Sequence, residues 1–109
     1  MKTANSIIYK ALQETGYTVY KKRPEILRSF PCITYNLLNG EPTNFLSGDI
    51  AKQVNTYAVD IYAQTGEEAS SILEEVHESL LESGFFADYV ADIDDDEVVH
   101  LSTRFKFLV

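Results

Sequence analysis

Five carboxylates, Asp92, Asp94, Asp95, Asp96 and Glu97, crowd one short stretch of the chain, and oxygen-rich clusters are what a hard divalent cation takes. An EF-hand loop begun at Asp92 would set oxygens at Asp92, Asp94 and Asp96. Its sixth position is then Glu97 where glycine must make the sharp turn, and its twelfth is Thr103 where a bidentate glutamate must close the shell. The motif fails twice, so the stretch reads as a solvated turn, which aspartate favours. The two histidines, His77 and His100, fall on different predicted elements without metal-ligand spacing. Cys32, the sole cysteine, forms no intrachain disulfide and no cysteine-based zinc site. Its alternation with Thr34 and Asn36 after Pro31 places it in a strand, where a single cysteine packs as a small hydrophobe. No G-x-S-x-G, P-loop or G-x-G-x-x-G occurs. The residues therefore predict no catalytic set, metal or cofactor.

Two other features suit contact with partners. Leu37 to Ile50 contains Asn39-Gly40, Pro42, Asn44 and Ser47-Gly48, which are turn formers, around the apolar pair Phe45 and Leu46. The pattern predicts a long loop whose tip, Phe45, Leu46, Ser47, Gly48 and Asp49, either folds over the core or meets another subunit. Lys21, Lys22 and Arg23, with Arg28, make the one basic cluster of an acidic chain. It is either a solvated turn or a patch that faces an acidic neighbour.

The elements that must hold these residues follow from periodicity. Ile7, Ile8, Ala11 and Leu12 have helical spacing behind a cap at Thr3 or Asn5 and before Gly16, which predicts a helix over Asn5 to Thr15. Tyr17 to Tyr20 and Cys32 to Asn36 read as short strands. In Val54 to Ala63, Tyr57, Val59, Ile61 and Ala63 alternate with Thr56, Ala58, Asp60 and Tyr62, the pattern of a central or near-central strand. Thr65 with Glu68 forms a capping-box pattern ahead of the stripe Ile72, Leu73, Val76, Leu80 and Leu81, and Gly84 stops that helix. Phe85 to Ile93 and Val98 to Val109 complete a hairpin. Its last strand sets Val99, Leu101, Thr103, Phe105 and Phe107 on one face and His100, Ser102, Arg104 and Lys106 on the other.

The 109 residues fit one domain, 1–109, with a single core. Two amphipathic helices and about five strands predict an α+β fold: a two-layer sandwich whose mostly antiparallel sheet carries both helices on one face. The other sheet face is expected to present Asp60, Tyr62, His100, Arg104 and Lys106. Seventeen acidic against nine basic side chains give a net charge of -8, which argues against a protein that grips phosphates through clustered lysine and arginine. An acidic surface instead lets DNA slide by without adhering. No apolar run reaches the length that spans a bilayer, and no signal-peptide stretch follows Met1-Lys2, so no membrane contact is expected.

Short motifs in a fixed order cover nearly the whole chain: Ile8-Tyr9-Lys10-Ala11-Leu12, Val19-Tyr20 with Pro24, Phe30-Pro31-Cys32-Ile33-Thr34-Tyr35, Tyr57-Ala58-Val59-Asp60-Ile61-Tyr62, Glu82-Ser83-Gly84-Phe85 and His100-Leu101-Ser102-Thr103-Arg104-Phe105. This series resembles the small tail-terminator, or tail-completion, proteins of tailed bacteriophages with long noncontractile tails. The Val59 to Tyr62 and His100 to Phe105 segments carry most of the likeness. The resemblance implies a nonenzymatic virion protein made in the host cytoplasm. Its copies would close as a homo-hexameric ring on the tail tube protein, end tail polymerisation and offer a joining surface to a head-tail connector protein, while DNA passes through the lumen unread. It also assigns Phe45, Leu46, Ser47, Gly48 and Asp49 to subunit or tail-tube contact. Leu46 departs from the family pattern, which favours a small residue there. The competing expectations are another connector ring, such as a stopper or neck protein, an acidic mimic of DNA and, third, an enzyme, for which no nucleophile, base and orienting group converge in the sequence.

Overall fold

The computed structural model of the chain describes residues 4–21, 30–43, 52–93 and 98–108. They form α1 (Ala4–Gln13), β1 (Thr18–Tyr20), β2 (Cys32–Thr43), β3 (Lys52–Ala63), α2 (Gly66–Glu82), β4 (Phe86–Ile93) and β5 (Val99–Leu108).

Local chemistry fixes the helix ends. The Thr65 hydroxyl accepts the Glu68 N–H at 3.1 Å, and the Glu68 carboxylate accepts the Gln64 N–H at 3.2 Å, so the first turn of α2 has side-chain partners for its backbone. At the other end Phe85 N–H bonds the Leu80 carbonyl at 2.9 Å and Gly84 N–H that of Leu81 at 3.1 Å. This double closure needs a left-handed residue, and Gly84 supplies it with φ +98°.

The strands form one sheet in the order β1-β2-β3-β5-β4. β1 is parallel to β2, and every other pair is antiparallel. β3 is central, as predicted. β3 and β4 thus run the same way with β5 between them, joined by α2 across one sheet face. The fold is the predicted α+β two-layer sandwich, with Ile8, Ala11 and Leu12 of α1 and Ala69, Ile72, Val76 and Leu80 of α2 packed on one sheet face.

That helix-covered face carries Ile33, Tyr35, Tyr57, Val59, Ile61, Ala63 and Phe105, all buried. Removing one such aliphatic side chain from water is worth roughly 1.5–3 kcal/mol. The Phe85 ring sits edge-on to Tyr57 at 5.9 Å and 4.6 Å from Phe107. Polar ties cross the layer: the Ser79 hydroxyl bonds the Ala11 carbonyl at 2.7 Å, joining the helices, and the Tyr57 hydroxyl donates to the Asn5 side chain on α1.

Three expectations need correction. Leu37 to Thr43, read as loop, continue β2, paired with β3 as far as Thr43 opposite Lys52. β2 lies toward the sheet edge, where proline and glycine are tolerated because a full ladder is not needed on both sides. A bulge between Leu37 and Asn39 absorbs Leu38 and breaks the alternation that would have betrayed the strand. Leu81, counted in the apolar stripe of α2, is half exposed. Tyr62, assigned to the exposed sheet face, lies on that face but is buried.

Candidate functional site

The predicted contact residues divide. Lys21 follows β1 and is exposed. Lys22, Arg23, Phe45, Leu46, Ser47, Gly48 and Asp49 lie outside the described residues, as do Asp94, Asp95, Asp96 and Glu97. Asp92 stands exposed on β4. Among the described residues no group of three His, Cys, Asp or Glu side chains is placed to hold a metal ion.

The sheet register separates the chemistry-bearing side chains. His77 is exposed on α2, on the helix side, with its ring 5.9 Å from that of Phe105. His100 lies on the opposite sheet face, so the histidines do not meet. Cys32 pairs with Tyr62, and Tyr62 with His100. One strand therefore stands between thiol and imidazole, placing them about 10 Å apart at the usual strand spacing. Cys32 is fully buried in this row, and a nucleophile needs hydrogen-bond reach to its base.

What this sheet face does assemble is a packed polar group. The His100 Nε2 lies 3.0 Å from the Asp60 Oδ1, and its ring stacks on Tyr62 at 4.3 Å. Lys106 reaches Asp88 at 3.5 Å on the same face. The His100–Asp60 pair cross-links β3 to β5, with the partly exposed Ser102 opposite Asp60 on the same face. The helix layer differs in charge: Glu67, Glu74, Glu75, Glu78 and Glu82 are exposed on α2, and Glu14 joins Glu75, Glu78 and Glu82 around an open depression between the helices. There the Tyr17 hydroxyl donates to the Glu75 carboxylate, and that bond is the first cause of a tyrosine pKa raised above its ordinary value.

The sheet edges hold exposed apolar residues that sequence reasoning missed. β1 covers β2 at Cys32, Ile33 and Thr34 alone, so from Tyr35 to Thr43 the outer edge of β2 faces no described strand. Leu37 and Leu38 on it are each 46% exposed. On the opposite edge β4 shows Phe86, Val90 and Ile93 at 47%, 55% and 41%. Edge strands display unpaired backbone donors and acceptors, and natural proteins usually blunt them. Turn formers concealed the first edge in the sequence; on the second, Phe86, Val90 and Ile93 were visible as apolar residues, but their edge position was not.

Compared with models of known protein families and with curated protein sequences, the chain finds no match.

Proposed function

We propose that this chain is a structural subunit of a phage tail-terminator ring, which caps the tail tube and forms the head-tail joining surface. The reading rests on the ordered motifs of the sequence, and one observation supports it most. The two segments that carry most of the likeness, Val59 to Tyr62 and His100 to Phe105, are partners in the middle of the sheet: Asp60 opposite Ser102, Tyr62 opposite His100, and the His100 side chain on Asp60. The residues of these two segments thus hold one another. A ring also needs two unlike contact surfaces per subunit, and the two sheet edges differ in sequence and polarity.

Native mass spectrometry of the purified protein, alone and mixed with the tail tube protein encoded beside it, tests the reading. A hexamer, free or assembled on the tube, is expected. A monomer that ignores the tube and binds a portal-side connector overturns it in favour of a stopper or neck ring. The carboxylates on α2 favour a second reading, an acidic mimic of DNA, and competition with DNA for a nuclease at low salt separates it from the first.

A further inference from the structure

We propose that copies of this chain join edge to edge: β4 of one copy pairs antiparallel with the outer edge of β2 of the next, from Asn36 to Thr43, making one sheet that runs through both. The pairing is argued from strand geometry, and its closure into a ring rests on the reading above.

Polarity comes first. β2 and β5 run one way and β3 and β4 the other. Copies arranged around an axis share one orientation, so β4 of one meets an oppositely directed β2 of the next. That is the antiparallel pairing, slightly the more stable per residue.

Length and register come next. Ile93 aligns through His100 with Tyr62, and Phe86 through Lys106 with Thr56. On the other edge, Asn36 aligns with Ala58 and Thr43 with Lys52. Moving the next copy by about four residues along the strands therefore seats all of β4, with Ile93 beside Asn36 and Phe86 beside Thr43. An odd shift would turn its helix layer to the opposite side, whereas four keeps all helices on one side. It also leaves β1 in place on Cys32, Ile33 and Thr34, beyond the end of the incoming strand.

Each copy adds four strands, β2, β3, β5 and β4, to the joined sheet, so the stagger is about one residue per strand. That ratio is the one by which an eight-stranded barrel of shear 8 closes, with strands tilted about 36°. A flush, unstaggered joint would leave half of each edge unpaired. The apolar side chains fit the same joint: on the helix side Leu37 falls diagonal to Val90 of its neighbour, within reach of a cross-strand contact.

The test uses two double variants: Val90→Lys with Ile93→Lys on β4, and Leu37→Lys with Leu38→Lys on β2. All four side chains are more than two-fifths exposed, so the fold is retained, as far-UV circular dichroism checks. Native mass spectrometry at high concentration should show the wild-type chain as an oligomer, each variant alone as a monomer, and the two mixed as a one-to-one pair that grows no further, since one intact edge of each remains. A β2 variant that still dimerises alone indicates symmetric β4-to-β4 pairing and overturns the proposal. So does a wild-type chain that stays monomeric both alone and with the tail tube protein, or a hexamer that survives both variants; the last leaves the ring reading standing with another joint. Heterodimers on mixing, with open filaments from the wild type, keep the edge joint and overturn the ring.

Discussion

Thr103 is a polar side chain sealed within the sheet-helix interface, fully buried, with its hydroxyl donating to the Val59 carbonyl at 2.7 Å. Replacing it by valine keeps the shape and removes the bond, so Thr103→Val is expected to lower stability by about 1 kcal/mol in urea unfolding. Three tyrosines tie stability to alkaline pH. Burial holds the Tyr35 and Tyr57 hydroxyls above the usual tyrosine value, and the bond to Glu75 does so for Tyr17. A pKa higher in the folded chain than in the unfolded one means that the native state keeps protons that the unfolded state releases. Their contribution is whole below a pH of about 10 and falls as pH climbs through the raised values. Absorbance titration of the phenolates should find the late-ionising class appearing together with loss of ellipticity. Tyr57→Phe, which takes away one of these groups, should shrink that class. An ionisation of all tyrosines at the ordinary value, with the fold intact, contradicts this. At the same scale, the failure of Cys32 and His100 to meet was not readable from composition or spacing. It depends on which strand lies between them, and Tyr62 takes that place through pairing across distant parts of the chain.

Among the elements, α2 was the most legible because both its ends are written in local chemistry. Thr65→Ala removes the acceptor for the Glu68 N–H and should cost about 1 kcal/mol. Gly84→Ala should cost roughly 1–2 kcal/mol, since an alanine is strained at φ +98° and its Cβ would lie 3.1 Å from the Phe107 ring. Denaturant melts of the two variants check both values, and equal stability of Gly84→Ala and wild type would remove the argument. β3 and β5 were equally plain, because strict alternation records one buried face. β2 was legible for Cys32 to Asn36 and hidden beyond. Asn39, Gly40 and Pro42 carry local turn preferences that pairing with β3 overrides, and the extra residue Leu38 shifts the period where alternation would have shown. Local propensity yields to tertiary pairing most readily in strands, whose stability comes from neighbours.

For the whole molecule, the layered α+β architecture was legible because two amphipathic helices and alternating strands admit few ways of covering their apolar faces. The order β1-β2-β3-β5-β4 was not, since it depends on contacts that no local window contains. The contact residues inferred from the sequence are testable at this scale. Phe45→Ser with Leu46→Ser is expected to abolish ring formation and tail joining, read by electron microscopy of assembled tails, and intact rings would dismiss the loop as a contact. Charge reversal of Lys21, Lys22 and Arg23 to glutamate is expected to weaken self-association in sedimentation, with a larger loss at low salt than at high salt. The interior position of β5 has a consequence for synthesis. Its partner β3 leaves the ribosome long before it, ahead of both α2 and β4, and waits with one side open until β5 inserts between two strands already made. A nascent chain paused after Ile93 therefore holds both helices and most of the sheet's residues but not the strand that joins them, and it should be cut readily by protease until Val99 to Leu108 emerge.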